Sequence, residues 1–116
     1  MILGIGVDLC LISRLEESLA KAPNLASRLF HENEVALPPR SLAARFAAKE
    51  ALAKACGSPS LLSWIEIEVV KTETGKPEFL FHGATKKNLE TFGVKKSFLS
   101  VSHDDGVAVA MVVLEA

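Results

Sequence analysis

The sequence contains little cysteine, and this scarcity excludes two classes of small protein. Cys10 and Cys56 are the only cysteines among 116 residues. Two cysteines are too few for the disulfide framework of a small secreted domain, and they lack the paired spacing of a structural zinc site. We therefore expect both to be free, partly buried thiols.

The sequence also lacks a long apolar run, a leader segment and a large net charge. No stretch approaches the roughly 20 apolar residues of a membrane span, and Met1-Ile2-Leu3 runs into Gly4 without a basic segment or cleavage site. Thirteen Lys and Arg oppose fourteen Asp and Glu, a net charge of -1, which removes the broad basic surface of a nucleic-acid-binding protein. We predict a cytoplasmic protein that binds neither nucleic acid nor membranes.

The chain contains enough apolar residues for one domain spanning residues 1–116. With 49% hydrophobic and 23% charged residues, it is not disordered, and its length suits one domain rather than two. Such a composition leaves the surface of a small monomer rather apolar. We therefore expect an oligomer.

Hydrophobic periodicity and turn residues predict an α+β fold, a mainly antiparallel sheet with helices packed on it. The predicted strands span 2–9, 64–71, 78–82, 97–102 and 107–114, and helices start at 13, 25, 41 and 83. Ser13 and Ser41 are the expected N-caps, and Gly57 is the expected terminator of the third helix. The turn at 74–77 joins the two strands of one predicted hairpin, and the turn at 105–106 joins those of another.

Two predicted strands have unusual patterns. Gly4 and Gly6 share one face of the first strand, which predicts that another element approaches it closely, and Asp8 stands at its end. The last strand is apolar on both faces, and the few short helices cannot cover both. We expect one face, on which we take Val112 to lie, to pack against a neighbouring subunit.

The segment 45–51 concentrates charge on a helix face that also carries small and apolar residues. At about 100° per residue, Arg45, Lys49 and Glu50 lie on one arc. The two cations repel unless an anion bridges them, and a carboxylate beside them favours a phosphate held with a metal. Asp8 is the natural second ligand, because Mg²⁺ is usually held by one or two carboxylates plus substrate phosphates. The alternatives are a solvated helix edge and, for Asp8, a helix cap.

Three histidines and one turn with a glycine complete the candidate residues. His103 follows Ser102 near a predicted turn. The sequence lacks the nucleophile elbow of a serine hydrolase, which disfavours that class of enzyme. Nucleotide binding and a structural role for His103 both stay open. His31 and His82 are interpreted as structural or surface residues. The segment Gly75-Lys76-Pro77 favours a hairpin turn, with a lysine over a diphosphate as the alternative.

Together these segments resemble the holo-acyl-carrier-protein synthase family of small phosphopantetheinyl transferases, over nearly the whole chain. The resemblance is carried by Gly4-Ile5-Gly6-Val7-Asp8 with Arg14, Phe30-His31-Glu32-Asn33-Glu34, Arg45-Phe46-Ala47-Ala48-Lys49-Glu50-Ala51, Gly75-Lys76-Pro77 and Ser100-Val101-Ser102-His103. The first and third motifs are highly specific. His31 is a departure, because the family often has a small hydroxyl residue there.

The resemblance implies a phosphopantetheinyl-transferase-like fold and a homotrimer with active sites between subunits. It further implies coenzyme A as donor, Mg²⁺ as cofactor, apo-acyl carrier protein as acceptor, and a place in fatty-acid biosynthesis. By the same resemblance Asp8 and Glu50 bind the metal, and the contacts to coenzyme A come from Arg45, Lys49, Gly75, Lys76, Pro77, Ser102 and His103.

The resemblance also implies that Arg14 contacts the acidic carrier protein. Lys21 returns to the same helix face seven residues later, and Arg28 extends that face if the next segment continues nearby. A solvated helix flank is the alternative.

In the implied reaction a serine hydroxyl attacks the β-phosphorus of coenzyme A, and adenosine 3',5'-bisphosphate leaves. Lys49 would neutralise developing charge, and the hydroxyl proton would pass to Glu50 or to a metal-activated water. The competing hypotheses are a metal-dependent nucleotide-binding module without catalysis and a purely structural trimeric domain.

Overall fold

The computed structural model describes residues Met1–Ala116 and contains five strands and four α-helices. Two single-turn 3₁₀ helices, Pro59–Leu61 and Trp64–Glu66, precede the second strand. In chain order the other elements are β1 (Ile2–Leu11), α1 (Ile12–Lys21), α2 (Leu25–Leu29), α3 (Pro39–Cys56), β2 (Ile67–Lys71), β3 (Pro77–Phe81), α4 (Gly83–Phe92), β4 (Lys96–Asp104) and β5 (Val107–Glu115).

The strands form two antiparallel sheets, and α3 packs against the larger one. The larger sheet has the order β1-β5-β4, and β2 pairs with β3 in a separate hairpin. The turn between β4 and β5 is made by Asp105 and Gly106, which both have positive φ, as a two-residue hairpin turn requires. The predicted α+β class is confirmed. None of the helices combines the length and apolar character needed to cross a membrane.

The glycines of β1 let α3 lie directly on the strand backbone. A Cβ atom added to Gly4 would lie 1.9 Å from the carbonyl oxygen of Ala55, and one added to Gly6 would lie 1.8 Å from that of Ala51. The α3 residue at this seam, Ala51, is completely buried. The predicted close approach is therefore a strand–helix contact with almost no side chain between the two backbones.

Three details of the predicted helix and strand ends are wrong. Asp8 does not end its strand, because β1 continues to Leu11 and Asp8 pairs with Ala110 of β5. Ser13 is not a cap, since β1 runs straight into α1. Ser41 is not a cap either, because α3 already begins at Pro39, whose fixed φ suits a first helical turn.

The segment after α2 also differs from the prediction of a helix over 25–35. The helix ends at Leu29, and Phe30 is extended and completely buried. The turns that follow direct the side chain of Glu34 inward, where it is only 1% exposed. The end of α3 matches the prediction, because Gly57 adopts the left-handed conformation typical of a helix terminator.

The larger sheet has one covered face and one open face. On β5, Ala108, Ala110, Val112 and Leu114 are completely or almost completely buried against α3, whereas Met111 is 45% exposed. Val112 therefore lies in the core, and its interpretation as an outward residue is wrong. The open face continues onto β1, where Ile5, Val7 and Leu9 are each more than half exposed. We call this surface, formed by Ile5, Val7, Leu9, Phe98, Val109 and Met111, the open sheet face.

The seam between β1 and α3 predicts that Gly6→Ala destabilises the fold. The added methyl group would overlap the Ala51 carbonyl, and overpacking of this kind typically costs about 1–3 kcal/mol or more. Urea denaturation followed by circular dichroism should show a lower midpoint for Gly6→Ala, and Gly4→Ala should behave alike. Unchanged midpoints would contradict the close approach of α3.

Candidate active site

Asp8 and Glu50 meet where β1 faces α3. Asp8 lies on the same face of β1 as the two seam glycines, and Glu50 projects from α3 one residue before Ala51. Burial raises the pKa of Glu50, the charge of Asp8 raises it further, and Lys54 partly offsets both. The two carboxylates are therefore close enough to repel each other, as the sequence predicts for a shared site.

Lys54 is a member of this group that the sequence analysis missed. Its Nζ atom donates to Asp8 Oδ1 and to the carbonyl oxygen of Val7, both at 3.0 Å, and its side chain remains 57% exposed. The spacing of four residues from Glu50 on α3 could have indicated it, because residues at i and i+4 lie on one helix face. The site thus combines two carboxylates with one ammonium group.

The donor set fits a hard divalent cation. Mg²⁺ prefers carboxylate oxygens and is commonly held by one or two of them. Burial is the main cause of the raised pKa of Glu50 and the charge of Asp8 adds to it, so a bound cation would relieve both effects. The neighbouring thiol of Cys10 does not compete, because burial raises its pKa and only a thiolate binds metal well.

Lys49 does not belong to an exposed anion site, which corrects the prediction for this residue. Its side chain is completely buried, and its Nζ atom donates to Glu34 Oε1 at 2.6 Å and to the carbonyl oxygens of Leu29 and Trp64 at 3.0 and 3.2 Å. An ammonium group has three protons to donate, and three acceptors take them. Lys49 therefore has no donor left for a coenzyme A phosphate, and this geometry favours a structural role over the predicted catalytic one.

Glu34 connects the two cations of the 45–51 motif. Besides Lys49, its carboxylate accepts the backbone N–H groups of His31 and Val69, each at 2.9 Å, and Arg45 Nε lies 3.6 Å from Oε2. The sequence predicted that an anion bridges Arg45 and Lys49. The anion is a carboxylate of the chain itself rather than a phosphate, because the turn after α2 folds inward.

A cleft of about 200 Å³ lies between α3, the β2–β3 hairpin and β4. It is lined by Ser41, Ala44, Arg45, Val69, Lys71, Gly75, Pro77, Val101 and His103. Two of the lining residues, Arg45 and His103, carry nitrogen atoms that could bind a polar ligand. The inner nitrogens Arg45 Nε and His103 Nε2 are buried without a hydrogen-bond partner, and Arg45 Nε lies 3.6 Å from Glu34 Oε2.

The cleft brings together four of the seven residues predicted to contact coenzyme A and leaves three outside, one of which is the buried Lys49. Arg45, Gly75, Pro77 and His103 line it, whereas the exposed Lys76 at the hairpin tip does not. Ser102 is also outside, because alternate residues of β4 point to opposite sides. Its side chain lies on the side of the open sheet face, so within one chain Ser102 and His103 cannot contact the same ligand.

The three predicted partner-binding residues are all on the surface. Arg14 and Lys21 are exposed on α1, and Arg28 is exposed on α2. Arg14 also lies near the carboxylate pair, because its charge lowers the pKa of Cys10 while Asp8 and Glu50 raise it. A basic surface therefore adjoins the candidate metal site, and its role in partner binding stays a prediction.

The buried pair predicts a large loss of stability in Glu34→Gln. Burial lowers the pKa of Lys49 and the charge of Glu34 opposes that shift, so removing the carboxylate leaves an unpaired buried ammonium. Breaking such a pair typically costs about 3–5 kcal/mol. Urea titrations should show this loss in Glu34→Gln, and Glu32→Gln, an exposed neighbour, should stay near the parent. Equal stability of both variants would contradict the structural role of Glu34.

Comparisons with known proteins show the family of this chain. Residues 4–112 match the model of the 4'-phosphopantetheinyl transferase superfamily. A holo-[acyl-carrier-protein] synthase of Clavibacter michiganensis subsp. michiganensis is 50% identical over 115 residues, which cover 99% of this chain and 97% of that protein.

Solved structures of the same family have the same fold as this chain. The holo-[acyl-carrier-protein] synthase of Neisseria meningitidis superposes with a TM-score of 0.93 at 35% identity, covering 100% of both chains. The Helicobacter pylori synthase, in complex with coenzyme A, has a TM-score of 0.85 at 29% identity and covers 96% of this chain and 99% of that one. The chain belongs to the holo-acyl-carrier-protein synthases of the 4'-phosphopantetheinyl transferase superfamily.

Proposed function

We propose that this chain transfers 4'-phosphopantetheine from coenzyme A to a serine of apo-acyl carrier protein and releases adenosine 3',5'-bisphosphate. The observation that carries the proposal is the cleft lined by Arg45 and His103. The phosphates and the base of a nucleotide offer hydrogen-bonding groups to both side chains. The Helicobacter pylori relative in complex with coenzyme A supports the choice of nucleotide.

In the proposed complex, the cleft holds the nucleotide part of coenzyme A. The guanidinium of Arg45 and the imidazole of His103 bind its polar groups, while Gly75 and Pro77 shape the wall formed by the hairpin. Asp8 and Glu50 would hold Mg²⁺, which neutralises charge on the diphosphate when bound. The site then extends along the middle of α3, with the nucleotide toward Arg45 and the reacting phosphate toward Glu50, five residues later.

Two side chains at the metal end can act on the reaction directly. Glu50 lies where it can accept the proton of the acceptor serine, either directly or through a metal-activated water. Lys54, held at 3.0 Å from Asp8, can stabilise negative charge on the phosphate oxygens. Lys54 thus takes the charge-neutralising role that the sequence analysis gave to the buried Lys49.

The carrier protein is proposed to dock on α1 and α2. Arg14, Lys21 and Arg28 present positive charge there, and Arg14 adjoins the carboxylate pair. An acidic helix would be steered to such a surface by electrostatic attraction. This arrangement would deliver the acceptor serine beside Glu50. The family resemblance implies a role in fatty-acid biosynthesis.

A homotrimer is proposed as the assembled form. The open sheet face exposes a large apolar surface, with Ile5, Val7 and Leu9 at 57%, 54% and 66% exposure. Soluble monomers rarely expose contiguous apolar patches of this kind, and the family resemblance implies three subunits. Ser102, on the side of that face, would then contribute to the active site of a neighbouring subunit.

Assembly through the open sheet face predicts that Met111→Asp yields monomers. A charge placed there would be desolvated without a partner, which costs several kcal/mol. Analytical ultracentrifugation at micromolar concentration should detect trimers for the parent chain and monomers for the variant. The matched control is Leu80→Asp on β3, a residue of similar exposure at 47%, which should remain trimeric. A monomeric parent chain would disprove the assembly.

The carboxylate pair predicts that Glu50→Gln and Asp8→Asn remove activity from folded protein. Both changes keep side-chain size and remove the charge that a metal requires. Intact-mass spectrometry of apo-acyl carrier protein incubated with coenzyme A, Mg²⁺ and the parent chain should detect the added phosphopantetheine. Glu90→Gln, at an exposed α4 position, should be as active as the parent.

Two outcomes of that experiment would reject the proposal. Coenzyme A binding by the parent without modification of the carrier protein would favour the non-catalytic nucleotide-binding module. Full activity of folded Glu50→Gln at saturating Mg²⁺ would exclude Glu50 as a required ligand or base.

A further inference from the structure

A second cluster of ligating side chains contains neither residue of the carboxylate pair. His31 follows α2, Glu68 lies in β2, and His82 immediately precedes α4. One potential ligand atom from each lies within 4.8 Å of the others. The sequence analysis interpreted both histidines as structural or surface residues, and the candidate active site uses neither of them.

The three side chains are held in fixed positions. Glu68 Oε1 lies 3.0 Å from His82 Nε2 and 3.7 Å from His31 Nδ1. The two imidazole rings stack with their centroids 4.5 Å apart, and the Asn33 side chain donates to the second oxygen of Glu68 at 3.2 Å. The cluster is therefore oriented by a neighbouring hydrogen bond, as protein metal ligands commonly are.

Two of the ligand separations suit a tetrahedral metal site, although the stacked imidazole rings, with 20° between their planes, must turn before both nitrogens can face one ion. Zinc–nitrogen and zinc–oxygen bonds of about 2.1 Å place neighbouring ligand atoms about 3.4 Å apart. The two measured separations from Glu68, 3.0 and 3.7 Å, lie on either side of that value. The Asn33 N–H group, which now donates to His31 Nδ1 at 3.1 Å, would exchange that bond for solvent when Nδ1 binds a metal.

We propose that His31, Glu68 and His82 form a binding site for a borderline transition-metal ion of the Zn²⁺ class, separate from the carboxylate pair. Two imidazoles with one carboxylate form a donor set typical of zinc, whereas Mg²⁺ prefers oxygen ligands alone. His82 is 37% exposed, which gives the ion an entry path and leaves a coordination position for water.

A metal at this site would join three segments that the chain otherwise holds by hydrogen bonds. The turn that carries His31 also carries Glu34, which positions Lys49 and Arg45. The charge of Glu68 acts on Arg45 as well. The proposed ion would therefore stabilise the fold by binding only its native form, and it would change the electrostatic environment of the nucleotide cleft.

Other soft ligands of the chain do not compete for the ion. Cys10 and Cys56 are buried, and burial raises the pKa of Cys56 to about 11, so its thiol stays protonated. His103 is the third of only three histidines and lies in the cleft. It provides a matched control for histidine removal.

The test measures binding of Co²⁺ and Zn²⁺ to the full chain in excess Mg²⁺. Co²⁺ should give the visible absorption of a low-coordinate nitrogen and oxygen site with one ion per chain, and Zn²⁺ should displace it and raise the melting temperature. His82→Asn should weaken binding at least tenfold, because it removes one of three ligands. His103→Asn should bind as the parent does.

A second variant and a separate control keep the outcome decisive. His31→Ser should lose binding as His82→Asn does, and circular dichroism should show that both variants are folded. Asp8→Asn should retain the site, so a failure of the proposed transfer activity does not affect this result. Absence of saturable binding in the parent, or equal binding by folded His82→Asn and His31→Ser, would reduce the cluster to a hydrogen-bonded structural feature.

Discussion

The buried ion pair between Lys49 and Glu34 is the interaction on which the rest of the structure depends. It connects α3 to the turn after α2 and, through the Val69 N–H group, to β2. A buried charge pair is stable only when its remaining donors and acceptors are also satisfied, and here backbone carbonyl groups complete the shell of Lys49. The pair thereby fixes the helix whose central turns supply Arg45 and Glu50.

The sequence alone predicted most of the fold because its local signals were strong. Glycine in the left-handed region ends α3, and the Asp105-Gly106 turn joins β4 to β5. The helix starts failed for a physical reason: Ser13 and Ser41 resemble caps, but capping preference is a weak local term, and the continuous β1–α1 connection and Pro39 determine the actual starts.

The sequence predicted which residues form the candidate site better than it predicted the directions of their side chains. Spacing on α3 placed Lys49 and Glu50 on one arc, and neighbouring residues on a helix differ by about 100° in direction. That angle is enough to send Glu50 toward Asp8 and Lys49 into the core. Which of the two directions faces solvent depends on the inward turn carrying Glu34, a tertiary feature that no helical pattern encodes. The spacing of Lys54 from Glu50 indicates a shared helix face, but its contact with Asp8 spans 46 positions of the chain and depends on the tertiary fold.

The direct backbone contact between β1 and α3 limits which substitutions this chain can accept. Most packed elements are separated by side chains whose sizes can be exchanged in small steps, but at Gly4 and Gly6 the neighbour of the strand is a helix carbonyl. The same contact sets the distance between the strand that carries Asp8 and the helix that carries Glu50. Any residue larger than glycine would move both the core and the two carboxylates at once. Selection for stability and selection for catalysis therefore act on the same two positions, and neither can be adjusted there alone.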